Sequence, residues 1–150
     1  SMVEALNEEV IGKGTPYLGI CLGLQFMATR GLEHGEHEGF GWIPGNVERI
    51  IPREKGFKVP HIGWNDVELM GKDPLFENLG PNPVFYFVHS YHFVPSEESG
   101  GDLIARCWHG REVTAAVHRR NMYGVQFHPE KSQGAGLQLL ANLLAGVGGD

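Results

Sequence analysis

The sequence is poor in cysteine, in basic clusters and in long apolar runs, and each scarcity removes a class of protein. Its 150 residues contain two cysteines, Cys21 and Cys107. These allow one disulfide at most and no secreted cross-linked scaffold, so a reducing, cytoplasmic setting is expected. Against 18 Asp and Glu stand 12 Lys and Arg, a formal net charge of −6. With no Lys/Arg-rich run to neutralise phosphates, nucleic acid is not an expected partner. No apolar stretch approaches the ~18 residues of a membrane span, and the opening Ser1-Met2-Val3-Glu4-Ala5 lacks the basic and apolar regions of a signal peptide, so no membrane partner is expected. Nucleotide-binding signatures are missing too. Gly19 and Gly23 are not followed by the Lys-Ser/Thr of a phosphate-binding loop, and no Gly-x-Gly-x-x-Gly sits at a strand–helix turn.

What remains is a chain able to build a core. Hydrophobic residues make up 41% of it, and its length suits one domain of ~100–200 residues. Its 22 glycines are about twice the ~7% average and follow no repeat, so they read as turns and close backbone approaches. Apolar spacing predicts a short helix over residues 3–11, a buried strand at Tyr17–Cys21, and a helix from Leu22 to Arg30. Residues 31–45, rich in glycine and charge, read as loop. Strands follow at Val47–Ile51, Asp66–Leu69, Val84–Val88, Leu103–Trp108, Val113–Val117 and Tyr123–Phe127, and an amphipathic helix closes the chain over Gly136–Ala145. The helix–strand–helix opening predicts an α/β fold.

Two segments carry the chemistry. In Gly19-Ile20-Cys21-Leu22-Gly23, a cysteine stands between glycines where a strand is expected to turn into a helix. A nucleophile on such an elbow projects from the sheet, the glycines avoid Cβ clashes, and backbone N–H groups at the helix start stabilise thiolate and oxyanion. Its thiol is accordingly expected to ionise below the ~8.5 of a free cysteine. The plain alternative is a buried cysteine acting as a small hydrophobe. The second segment is His128-Pro129-Glu130, at the end of a strand. A carboxylate two residues from an imidazole can hold its tautomer and stabilise its cation, so a Cys21–His128–Glu130 triad is possible; taken alone, His-Pro-Glu reads as a surface turn. Of the other histidines, His34, His37, His109 and His118 read as solvated, and His61, His89 and His92 are ambiguous. The pairs His34/His37 and His89/His92 only approximate zinc spacing and have no cysteine nearby, so no metal or other cofactor is expected.

Together GICLGLQ at 19–25 and GVQFHPEKS at 124–132, about a hundred residues apart, resemble the class I (triad) glutamine amidotransferases. Within that class, KVPHIGWN at 58–65 and YFVHSYH at 86–92 look most like the glutaminase subunits of imidazole glycerol phosphate synthase. The resemblance runs from Thr15 to Leu144. It implies a flavodoxin-like three-layer α/β/α fold with a mixed sheet, and a triad in which Cys21 attacks the glutamine amide, His128 moves the proton and Glu130 orients it. Leu22, Gly23, Gln25, Glu33, Ser90 and Tyr91 match positions around the glutamine substrate. The implied partner is a (β/α)8-barrel cyclase subunit, forming a heterodimer that uses the ammonia in histidine biosynthesis, with Pro60–Asn65 as part of the docking surface. Only about fourteen residues precede Thr15. The family's first strand and glycine-rich oxyanion loop therefore have no counterpart, and an N-terminally truncated domain with an open sheet edge is expected. A lost oxyanion donor can cost ~10²–10³ in rate, which leaves a docking-only module as an alternative, beside an anthranilate- or guanylate-forming branch.

Overall fold

The computed structural model describes residues 1–148. Helix α1 (Met2–Leu6), opened by a capping box between Ser1 and Glu4, runs into a π-helical segment at Asn7–Gly12. Then come β1 (Tyr17–Ile20), α2 (Leu22–Phe26), the short strands β2 (Arg30–Gly31) and β3 (His37–Glu38), and β4 (Gly45–Arg49). The middle holds β5 (His61–Asp66), β6 (Glu68–Leu69), β7 (Val84–His89), β8 (Tyr91–Pro95), β9 (Leu103–Trp108), β10 (Glu112–Arg119) and β11 (Met122–Val125). Short 3-10 segments lie at Pro74–Phe76 and Glu97–Asp102, and a third at Pro129–Lys131 leads into the last helix, α3 (Gln133–Gly148).

The main sheet has the order β1-β11-β10-β9-β6, with β1 parallel to β11 and every other pair antiparallel. Side chains on β1 and β11 alternate between two cores, as strand geometry requires. Leu18, Ile20, Tyr123 and Val125 turn to the face where Phe85, Phe87, Phe127 and Leu139 of α3 pack. Tyr17 and Met122 turn to the other face, where Leu24 and Met27 meet Trp42, Val47 and Phe93. The run Val113–Val117 of β10 is buried throughout, because both faces of this central strand are covered. Helices thus lie on both faces of a mixed sheet, and the expected three-layer α/β arrangement is present. It is supplemented by a four-stranded sheet, β3-β2-β4-β8, and a β5–β7 pair.

Several sequence expectations need correction. The helix expected from Leu22 to Arg30 stops at Phe26, because the Thr29 N–H bonds the Gly45 carbonyl (3.0 Å) and Arg30 pairs with Asn46 of β4. Residues 31–45 are therefore not all loop. The single strand expected at Asp66–Leu69 is split at Val67: Asp66 pairs with Val84 of β7, whereas Glu68 pairs with Arg106 of β9. Strand β8 went unpredicted, since the polar Ser90-Tyr91-His92 hides its alternation. Among the described residues, no helix is long and apolar enough to cross a membrane.

Candidate active site

The register between β1 and β11 assembles the site. Ile20 lies opposite Val125, and the Cys21 N–H continues the ladder to the Val125 carbonyl at 2.8 Å, which sets Cys21 beside Gln126. Cys21 itself has φ 54° and ψ −100°, a left-handed conformation costing an L-residue of order 1–3 kcal/mol. The chain holds it there because the Cys21 carbonyl accepts the N–H groups of Leu24 (3.1 Å) and Gln25 (3.2 Å), starting α2. This is the expected elbow.

Its two glycines are not equivalent. A Cβ on Gly19 would run into the backbone carbonyl of Gly23, so α2 can cross β1 only where that carbon is missing. A Cβ on Gly23 would meet nothing closer than the Tyr17 hydroxyl at 3.5 Å, an ordinary contact. The Gly23 carbonyl instead accepts the Tyr17 O–H (2.9 Å), pinning α2 to β1. Gly124, paired with Gly19 across the strands, makes the matching space on β11: its Cβ would lie 2.6 Å from Leu24 Cδ1 and 2.9 Å from Met27 Sδ.

Cys21 is half-buried, and burial raises its thiol above the ordinary value. Donation from the Leu22 N–H and from Gln126 Nε2 (3.4 Å), together with nearby Lys131, opposes the rise, and Glu130 reinforces it. The net direction is upward, contrary to the depressed value expected from sequence. The physical reason is burial, whose desolvation of the thiolate outweighs the two N–H donors at the sulfur. His128 Nδ1 is 2.9 Å from Glu130 Oε2. With the carboxylate as acceptor, Nδ1 carries the proton and Nε2 is left free as a base. Burial would raise Glu130, but the His128 contact, a backbone N–H and the charge of Lys131 together hold the carboxyl below its usual range. Among the described residues, the only side-chain hydrogen bond to Cys21 Sγ comes from Gln126, not from His128.

A cavity of about 280 Å³ opens beside the elbow, lined by Leu22, Gln25, Phe26, Glu33, His37 and Val47 among others. This is slightly below the ~300–1,000 Å³ of sites for drug-sized ligands, a scale suited to a small metabolite. Three predicted substrate positions, Leu22, Gln25 and Glu33, line this cavity, whereas Cys21, His128 and Glu130 are not among its lining residues. Ser90 and Tyr91 do not line the cavity; Tyr91 connects to it through its carbonyl, which accepts Gln25 Nε2 at 3.0 Å. Gly23 lies within α2.

The histidines divide differently from the sequence reading. His61, His89 and His92 are buried, and burial is the largest cause depressing them, to about 3, about 4 and about 4. His109 is not simply solvated: its ring stacks on His61 with centroids 4.2 Å apart. His118 bonds Asp73 at 2.7 Å and stacks on Tyr123. Among the described residues no group of three or more His, Cys, Asp or Glu is arranged to hold a metal ion. Sequence reasoning missed Gln126 as a member of this site. Its one available signal was a polar residue in the apolar strand Tyr123–Phe127, and it is fully buried.

The profile of the glutamine amidotransferase class-I family matches residues 2–146. The chain is similar to the imidazole glycerol phosphate synthase subunit HisH of Cereibacter sphaeroides, 49% identical over 94% of this chain and 66% of that protein. HisH of Rhodospirillum rubrum is 46% identical over 95% of this chain and 66% of that one. The chain thus spans about two thirds of the length of these curated relatives. Among solved structures, a putative GMP synthase protein from Thermoplasma acidophilum superposes with a TM-score of 0.65 at 21% identity, covering 95% of this chain and 62% of that one. A glutamine amidotransferase from Thermotoga maritima gives 0.59 at 19%, covering 96% and 53%. At these identities the structures speak for a shared fold.

Proposed function

The chain belongs to the class I glutamine amidotransferase family, and from that premise we propose that it hydrolyses glutamine and hands the ammonia to a cyclase subunit forming imidazole glycerol phosphate. The observation that carries the chemistry is the strained Cys21 elbow, with the Gln126 and Leu22 N–H groups at its sulfur and the His128–Glu130 pair two residues beyond Gln126. The names of the relatives support the choice of branch.

In the proposed reaction, His128 Nε2 takes the Cys21 proton as Sγ attacks the side-chain amide carbon of glutamine. Glu130 stabilises the imidazolium through Nδ1. The tetrahedral intermediate then collapses: its C–N bond breaks, His128 returns the proton to the leaving nitrogen, and ammonia departs, leaving a glutamyl thioester on Cys21. Water, deprotonated by His128, attacks the thioester carbonyl; the C–S bond breaks, and glutamate and the Cys21 thiol are regenerated. Glu33 and Gln25, which line the cavity, are proposed to accept from the substrate's α-ammonium. A thiol held protonated at rest suits this scheme, since it needs a base before it attacks. Apo sites commonly show loose catalytic hydrogen bonds that tighten with substrate.

Transfer to a docked partner has a physical motive, because ammonia free in water near neutral pH is mostly ammonium and has no lone pair to give. Ile62 and Trp64, 59% and 50% exposed on β5, offer an apolar surface for such docking, and the (β/α)8-barrel cyclase is the partner proposed for it. The test is glutamate release from glutamine by this chain mixed with the cyclase subunit, compared with Cys21→Ala. Release that depends on Cys21 is the expected result, and equal release by both proteins would overturn the proposal.

A further inference from the structure

The Gln126 amide donating to Cys21 is the last member of a continuous hydrogen-bond chain that begins on β5. Asn65 Nδ2 donates to His61 Nε2 (3.1 Å), and also to the Trp108 carbonyl (2.9 Å). His61 Nδ1 donates to His89 Nε2 (2.9 Å), and His89 Nδ1 donates to the Tyr91 carbonyl (2.8 Å). That carbonyl also accepts Gln25 Nε2, whose other hydrogen goes to Gln126 Oε1 (3.2 Å). With its oxygen so engaged, Gln126 presents Nε2 to Cys21 Sγ at 3.4 Å.

Each direction in this chain is forced. A backbone carbonyl only accepts, so His89 must carry its proton on Nδ1 and Gln25 must turn its nitrogen to Tyr91. His89 Nε2 is then an acceptor, which places a proton on His61 Nδ1 and leaves His61 Nε2 to accept from Asn65. The scheme requires both rings neutral, which their burial maintains. Gln25 in turn meets Gln126 with a donor, so the amide of Gln126 cannot flip without setting its nitrogen against that of Gln25.

We propose that Gln126 is a positioning residue for the Cys21 sulfur, and that the His61–His89 pair, reaching from β5 through β7, supports its donating orientation by fixing the Tyr91 carbonyl on which Gln25 is anchored. The proposal rests on the reading of Cys21 as the nucleophile. It goes further in joining the reactivity of that sulfur to β5, the strand that also carries the exposed Ile62 and Trp64. A partner that shifts β5 would then act on the thiol through side chains already in contact.

The test reads the thiol itself. Alkylation of Cys21 by iodoacetamide is followed against pH by peptide mass spectrometry, with Cys107 as the internal standard. Among the described residues, the charged groups acting on Cys21 are Glu130 and Lys131 from the segment after β11, with His128 bonded to Glu130. Helix α2 contributes no titrating side chain; every variant retains all of these. Gln126→Leu is expected to raise the Cys21 midpoint by about one unit, the scale of one lost hydrogen bond to a charged group. His89→Phe is expected to raise it in the same direction, and His89→Asn, which keeps a donor near the Nδ1 position, to restore the parent profile. Should His89→Phe fail to fold by circular dichroism, His61→Phe carries the same expectation. A Gln126→Leu profile that coincides with the parent overturns the proposal. So does a Gln126 effect with no effect of His89 or His61. Since alkylation needs no turnover, loss of the glutaminase reading alone would leave these profiles interpretable.

Discussion

Cys107 lies within β9, 5% exposed, and burial pushes its thiol up to about 12. Cys21 lies one residue past the end of β1, half-buried at φ 54°, with two N–H donors at its sulfur and a histidine–glutamate pair nearby. The same residue type thus occupies two settings, buried within a strand in one and, as the proposed nucleophile, on the turn after a strand in the other. The difference is where each stands: β9 is an interior strand whose ladder, packing and desolvation all favour a neutral thiol. At the edge, the β1–β11 register ends, the chain turns sharply, and polar groups take the place of packing. In the proposed mechanism, the reactivity of Cys21 comes from a local departure from regular structure that the surrounding regular structure maintains.

The sharpest way to break this contrast is to remove each sulfur in turn. Cys21→Ala is expected to lower glutamine hydrolysis by ~10⁴-fold or more, and Cys107→Ala to leave it within a few-fold, as judged by glutamate release. Comparable losses would mean that the contrast is not functional. Next in size, Glu130→Gln should lower the rate by ~10²–10⁴-fold, because His128 loses the carboxylate that fixes its tautomer. Its urea midpoint should hardly move, as Glu130 is an exposed side chain.

The backbone itself gives the third prediction. Gly19→Ala forces a carbon into the Gly23 carbonyl and should cost ~1–3 kcal/mol, read from urea unfolding, whereas Gly23→Ala should cost less than about 1 kcal/mol. Equal costs would show that the elbow is not strained where the crossing of α2 over β1 places it.

The smallest effect belongs to the scaffold. Burial works against charge on both His118 and Asp73, yet their 2.7 Å contact, with the Leu75 N–H at Asp73 and the Arg120 carbonyl and Asp102 acting on His118, raises the histidine and lowers the aspartate. The histidine's share of stability is complete below its unfolded value of ~6.5 and is lost as pH rises through the folded value; the aspartate's is complete above ~3.9 and is lost as pH falls. Stability from this pair should therefore be greatest between about pH 4 and 6.5, with His118→Gln removing about 1 kcal/mol there and less at pH 8. A constant difference across pH would contradict the ion pair.

Much of this was legible in the residues. The bounds of β9 match the expected Leu103–Trp108, because a run bounded by Asp102 and His109 leaves little choice, and the elbow and His128–Glu130 follow from short motifs whose geometry is local. Other features depend on tertiary partners. Helix α2 stops early because Arg30 finds β4, and Val67 splits a strand because its two neighbours pair with different strands. The direction of the Cys21 shift was misjudged for a similar reason: glycine and helix signals are visible in sequence, and burial is not. Gln126, Gln25, His89 and His61 are scattered over β5, β7, α2 and the end of β11, so no spacing announces that they touch.

The most direct measurement is covalent capture. A glutamine analogue with an electrophile at the amide carbon, incubated with this chain and the proposed cyclase partner and mapped by peptide mass spectrometry, should label Cys21 and spare Cys107, with excess glutamine protecting Cys21. Labelling of Cys107 alone, or labelling of Cys21 that glutamine does not slow, would contradict the elbow as a glutamine-directed nucleophile.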